Sequence, residues 1–157
     1  MVMSEKVSVS REIAAPAEQV WALISDLPRM GEWSPENEGG EWLKGATGPK
    51  LGATFRGSNR NGKKKWKTVA KVIDADPGRL FSFSVSVMGS KVADWSYAFE
   101  PTAAGCRVTE TWIDHRNRLV KSLGKLGDDV ADRASHNQAG MEQTLECLAG
   151  VAEAGSS

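Results

Sequence analysis

Glu110 is the residue in this chain whose setting most invites chemistry. It stands between Val108 and Trp112 in an alternating stretch, Cys106 to His115. Strand periodicity puts these three side chains on one face. A carboxylate on an apolar face is costly unless it is paired or hydrated, and in a cavity its pKa would rise. Such a group suits acid/base work or a hydrogen bond to a ligand hydroxyl. Two blander placements compete. Glu110 pairs with a base such as Arg56, or the parity is reversed and it points to water. His115 ends the same stretch, beside Asp114 and Arg116, where it would polarise a carbonyl or act as a base. Glu110 and His115 are therefore the candidate catalytic residues.

The remaining reactive side chains are scattered. His136, counted from Met141, falls on the far side of a long helix and is expected to face solvent. Cys106 and Cys147 show no metal-ligand spacing with each other or with the histidines, so no metal is expected. They read as free thiols in a reducing compartment. No Ser-His-Asp or Cys-His order stands out, which argues against a nucleophilic hydrolase. No cofactor is expected.

These groups need elements to position them. The longest periodic segment runs from Asp128 to about Glu153. Its apolar stripe passes through Val130, Ala134, Met141, Leu145, Leu148 and Ala152. Asn137 and Gln138 interrupt that stripe. Either they look into a cavity that the helix closes, or they sit at the wet end of its packed region. Upstream, Lys6 to Ile13 alternates as a first strand. Pro16 opens a helix through Val20, Leu23, Ile24 and Leu27. A further short helical turn is expected from Leu27 to Trp33. A meander follows: Glu41 to Lys44, Ala53 to Asn59, Lys65 to Ala75, Leu80 to Val87, Val92 to Glu100 and Cys106 to His115. Asn61-Gly62 signals a type I′ hairpin. Pro77-Gly78, Met88-Gly89-Ser90 and Ala103-Ala104-Gly105 supply the other turns. The expected architecture is α+β. A seven-stranded curved antiparallel sheet wraps a long C-terminal helix, with two short helices after strand 1.

Composition bounds the rest. The chain has 157 residues, enough for one domain over 1–157, with an ordered core of about 6–152. Lys plus Arg equals Asp plus Glu at 20 each, so the basic excess usual in a nucleic-acid binder is missing. No run is long enough to span a membrane, and no stable membrane insertion is expected. No N-terminal apolar run marks a signal peptide, which makes the cytoplasm the expected location. The basic run Lys63-Lys64-Lys65-Trp66-Lys67 reads as a solvated hairpin tip with Trp66 turned inward. Nothing in the sequence signals an oligomeric state.

Six Trp, four Phe and one Tyr must be placed. Alternation turns Phe55, Trp66, Phe81, Phe83, Trp95, Tyr97, Phe99 and Trp112 toward the helix, together with Glu110. With Asn137 and Met141 from the helix, they form the candidate ligand-binding set. A filled aromatic core is the competing arrangement. Trp33 and Glu36, and Leu119 and Leu123 in the linker Arg116 to Gly127, are placed at the entrance.

Several stretches resemble one superfamily. They are Ala15-Pro16-Ala17-Glu18-Gln19-Val20-Trp21, Trp33-Ser34-Pro35-Glu36, Gly45-Ala46-Thr47-Gly48-Pro49 and Gly52-Ala53-Thr54-Phe55-Arg56-Gly57. Asp76-Pro77-Gly78, Trp95-Ser96-Tyr97, Val108-Thr109-Glu110-Thr111 and Gly140-Met141-Glu142-Gln143-Thr144-Leu145 complete the set. From about Lys6 to Ala152 the chain resembles the polyketide cyclase/dehydrase and lipid transport superfamily. This is also called SRPBCC, or START-like, with the helix-grip fold. It looks most like the small single-domain members common in actinobacteria. The resemblance implies a deep, largely apolar cavity between sheet and last helix. It also implies a small hydrophobic partner, such as a lipid or polyketide, held by a carrier or sensor. The alternatives it implies are a cyclase or dehydratase and, more remotely, a co-chaperone-like interaction module.

Overall fold

In the computed structural model, which describes residues 5–116 and 133–155, β1 (Lys6–Ile13) leads into α1 (Ala17–Ile24) and a 3₁₀ turn (Leu27–Glu32). Six more strands follow: β2 (Asn37–Trp42), β3 (Thr54–Asn61), β4 (Lys64–Asp76), β5 (Leu80–Val87), β6 (Ser90–Pro101) and β7 (Cys106–Asp114). The described part of the last helix, α2, spans Arg133–Gly155. The expected start at Asp128 lies outside the described residues. The strands form one seven-stranded antiparallel sheet in the order β1-β7-β6-β5-β4-β3-β2. This is the helix-grip arrangement.

The first strand returns to pair with the last, from Lys6 opposite Ile113 to Ile13 opposite Cys106. On the outer face of that pair, the Ser8 and Thr111 hydroxyls meet at 2.9 Å, and Ser10 and Thr109 do the same. Its inner face carries the buried Val108, Glu110 and Trp112. Helix α2 packs on β1, α1 and β7. It buries Asn137, Met141, Leu145, Leu148 and Ala152, a spacing of three and four that keeps them on one stripe. Each large apolar side chain so buried stabilises the fold by roughly 1.5–3 kcal/mol. Gln138, adjacent to the stripe, is exposed and bonds Glu142 instead.

Bulges bend the sheet. In β4, Val72 faces Phe83 and Asp74 faces Ser82, so Ile73 is the extra residue and is 39% exposed. Parity therefore shifts, and both Val72 and Ala75 pack inward. A second irregularity between Val85 and Ser86 leaves Val92 extra on β6.

The turns correct two expectations. Asn61 pairs with Lys64, so the β3–β4 loop is Gly62-Lys63, with positive φ at Gly62 but not at Asn61. That is the type II′ pattern rather than I′. The I′ pattern occurs instead at Met88-Gly89, where φ is 51° and 83°. Strand β2 also begins earlier than expected and contains Gly39 and Gly40. Gly40 has φ 156°, and a Cβ there would run into the Arg56 carbonyl and the Phe55 ring. Among the described residues, no helix is long and apolar enough to cross a membrane.

Candidate functional site

Between the sheet and α2 lies a cavity of about 640 Å³. Its walls come from alternate positions of successive strands: Phe55, Trp66, Ala70, Phe83, Val85, Trp95, Tyr97 and Trp112. Helix α2 contributes Asn137, Met141 and Thr144, and the 3₁₀ turn contributes Leu27 and Met30. Lining residues that are also exposed, Lys65, Met88 and Ser90, mark where it opens. Trp95 and Trp112, directly opposite on β6 and β7, form a tilted ring pair with centroids 6.4 Å apart.

The candidate residues separate in space. Phe81 and Phe99 are buried but do not line the cavity. Phe81 packs edge-on against Trp21 of α1, with centroids 6.0 Å apart, and against Phe83. At that end of the sheet the core is filled, because α1 and the last turns of α2 close over it. Trp33 is also buried away from the cavity, with Arg29 stacked 5.5 Å from its ring centroid. Leu119 and Leu123 lie outside the described residues. His115 does not line the cavity: its Nε2 lies 2.9 Å from Asp94 Oδ2 on the neighbouring strand.

Glu110 is 2% exposed and faces the cavity. Its side-chain partner is not Arg56. Arg56 lies on the outer face, 3.7 Å from Glu41. Instead the Tyr97 hydroxyl, directly opposite on β6, donates to Glu110 Oε2 at 2.8 Å. Oε1 is buried and has no hydrogen-bond partner among the described residues. Burial pushes the carboxyl pKa up to about 8, and the Tyr97 bond offsets only part of that rise. Burial and the neighbouring Glu110 push Tyr97 well above the usual phenol value. Near neutral pH both groups therefore keep their protons.

A second polar group spans the rim. Arg133 Nη1 of α2 lies 2.6 Å from Glu36 Oε1, in the segment after the 3₁₀ turn. The same nitrogen lies 3.2 Å from Asn137 Oδ1, and the guanidinium sits 5.8 Å from the Trp66 ring centroid. His136 Nε2 lies 3.2 Å from Glu36 Oε2. His136, expected in solvent, has a 39% exposed side chain, and it also lines the cavity rim where the segment Ser34 to Asn37 reaches the flank of α2. Arg133 was not anticipated at all. Its stretch reads as an ordinary polar face of the helix, and the residues it meets are distant in sequence.

Among the described residues, no group of His, Cys, Asp and Glu is arranged to hold a metal. Cys106 is fully buried, and burial raises its thiol pKa, which makes it a poor nucleophile.

Comparison with solved structures places this geometry among known proteins. The polyketide cyclase-like protein Cgl2372 from Corynebacterium glutamicum is 33% identical, with 98% of this chain and 88% of that one covered and a TM-score of 0.55. TTHA0849 from Thermus thermophilus is 22% identical over 98% of this chain and 100% of that one, with a TM-score of 0.68. The di-domain ARO/CYC StfQ from the steffimycin biosynthetic pathway has a TM-score of 0.75 at 11% identity. There the match covers 96% of this chain and 51% of StfQ. Comparison with curated proteins gave no match. The profile of the family described as polyketide cyclase/dehydrase and lipid transport matches residues 4–153. With nearly its whole length matched, the chain belongs to the polyketide cyclase/dehydrase and lipid transport family.

Proposed function

We propose that the protein binds a small hydrophobic molecule in the cavity between sheet and α2, as a carrier or sensor. The observation that carries this reading is the cavity itself, about 640 Å³ with mainly apolar and aromatic walls. A folded chain gains by filling such a space with side chains, since interiors are normally close-packed. Here the large rings of Trp66, Trp95 and Trp112 line the void rather than fill it. Each ligand CH₂ moved from water into it would contribute about 0.8 kcal/mol. A modest lipophilic molecule would then bind with few hydrogen bonds.

The test is native mass spectrometry of protein purified from its own host, followed by thermal shift against a panel of lipids and polyketides. A ligand at a hundred times its Kd stabilises by about 2.7 kcal/mol. For a domain of this size that raises Tm by roughly 5–10 °C. No retained mass and no shift across the panel would sink the reading.

A polyketide cyclase or dehydratase is the second reading, and one specific observation favours it. A protonated carboxylic acid, Glu110, stands in the cavity wall against a tyrosine. It is a general acid of suitable pKa, inside a space that would fold a flexible substrate. In that case Glu110→Gln would bind substrate and stop turnover. Full turnover in that variant would remove Glu110 from the catalytic role.

A further inference from the structure

We propose that the wall formed by Tyr97 and Glu110 selects a ligand carrying an uncharged hydrogen-bond acceptor, a ketone or comparable carbonyl, against which this pair presents one spare O–H. The proposal rests on the ligand-binding reading above and names the chemistry of what is bound.

Neutral Tyr97 and neutral Glu110 hold two O–H groups between them. They make one bond to each other, from the Tyr97 hydroxyl to Oε2 at 2.8 Å. One donor is left over, and Oε1 is the atom without a partner among the described residues. Reversing the internal bond changes nothing, because the spare O–H then sits on Tyr97 in the same wall. An ionised Glu110 would invert the count and leave only acceptors. Among the described residues no charge favours ionisation of the pair, and the arginines that line the cavity lie against acids. Arg133 is bonded to Glu36 and Arg116 to Asp114. The residues of α2 that line the cavity deeper than the rim, Met141 and Thr144, bring no charge. Thr144 spends its own O–H on the Gly140 carbonyl at 2.8 Å. A buried donor with nothing to bond is costly, and an acceptor on the ligand removes that cost. A ligand ammonium would need the ionised carboxyl, and a hydrocarbon would leave the O–H unmade.

Three probes of equal bulk decide the point: a naphthyl methyl ketone, its isopropenyl analogue with CH₂ in place of oxygen, and the corresponding primary ammonium. Calorimetry on the wild-type protein is expected to show the ketone bound about tenfold more tightly than the isopropenyl compound. The ammonium is expected to bind most weakly. Glu110→Gln keeps the preference, because its amide N–H still donates. Glu110→Leu alone frees the Tyr97 O–H as the donor and keeps the preference, whereas Glu110→Leu combined with Tyr97→Phe abolishes it, the two neutral probes becoming equal. The carbonyl stretch of the bound ketone reports the bond directly. It is expected at lower frequency than in alkane for wild type and Glu110→Gln, and at the alkane position in the Glu110→Leu, Tyr97→Phe double variant. Circular dichroism confirms that each variant is folded, and the wild-type measurements decide the matter even if the double variant does not fold. Equal binding of the neutral probes by the wild type overturns the acceptor proposal and leaves the hydrophobic cavity standing. Tightest binding of the ammonium overturns it as well, as does a ketone preference that survives in the Glu110→Leu, Tyr97→Phe double variant. Binding of none of the three would remove the ligand-binding reading along with it.

Discussion

The Tyr97 hydroxyl lies 2.8 Å from Glu110 Oε2, and the two residues are 3% and 2% exposed. They are direct cross-strand partners on β6 and β7, so the sheet register itself sets their approach. A buried acid held by one neutral donor, with no base against it among the described residues, makes folding depend on proton concentration.

The sign follows from linkage. The carboxyl pKa is 4.5 before folding and about 8 after it, so the folded state binds one more proton between those values. Stability is greatest below about pH 4.5 as far as this group is concerned, and falls as pH rises to about 8. At about 1.4 kcal/mol per unit, the loss is on the order of 5 kcal/mol. Glu110→Gln carries no such proton. Urea melts of both proteins across this range should show wild type losing stability relative to the variant as pH rises. A constant difference would show that the carboxyl is ionised, or hydrated, when folded.

Removing the hydroxyl of Tyr97 deprives Oε2 of its donor. Because that bond lowers the Glu110 pKa, Tyr97→Phe should move it further up. The stability cost should be about 1–2 kcal/mol near neutral pH. Titration of the Glu110 carboxyl carbon by ¹³C NMR reads the shift directly, and a downward movement would contradict the geometry.

Phe81 and Phe83 alternate on one strand but answer to different surroundings. Phe81 is 0% exposed in a filled core, so Phe81→Ala should cost about 3–5 kcal/mol. Phe83 already borders empty space, and Phe83→Ala should cost less, roughly 2 kcal/mol. Denaturant melts give both values. Equal costs would mean that Phe83 packs as tightly as Phe81.

The Glu36–Arg133 bridge joins the segment after the 3₁₀ turn to α2, and the two side chains are 20% and 10% exposed. Glu36→Gln keeps a hydrogen-bonding group but loses the charge, at a cost of about 1–2 kcal/mol. It should speed ligand exchange several-fold while changing Kd little, since Glu36 stands at the rim. Stopped-flow release of a fluorescent hydrophobic probe distinguishes this from a general loss of affinity.

The succession of strands and helices and the shared face of Val108, Glu110 and Trp112 on β7 were legible because alternation and helical spacing depend only on local geometry. What escaped depended on contacts between distant segments. Tyr97 was in view as an aromatic wall residue. Its role as the donor to Glu110 needed the β6–β7 register. The bulge at Ile73 shifts parity midway along β4, and no residue type there announces it. His136 is five positions before Met141, about 140° round the helix, which is solvent only if nothing covers the flank. The segment at Glu36 covers that flank only in part, leaving the side chain 39% exposed at the rim. His115 illustrates the opposite case: its neighbours in sequence, Asp114 and Arg116, pair with each other, and Asp94 from β6 takes the imidazole.

The return of β1 to β7 bears on how the chain reaches this state. Lys6 is opposite Ile113 and Ile13 is opposite Cys106, so the first strand waits for a partner about a hundred residues away. Neighbouring hairpins from β3 to β7 can zip in sequence order, but β1 and α1 must dock last or be held by loose collapse. Closing so long a loop is entropically costly before any pairing rewards it, and such topologies fold in milliseconds to seconds. On the ribosome, β1 would emerge as an unpaired edge with Val7 and Val9 exposed until β7 has been made. Its serines and charges, Ser8, Ser10, Arg11 and Glu12, are what keep that interval from ending in aggregation.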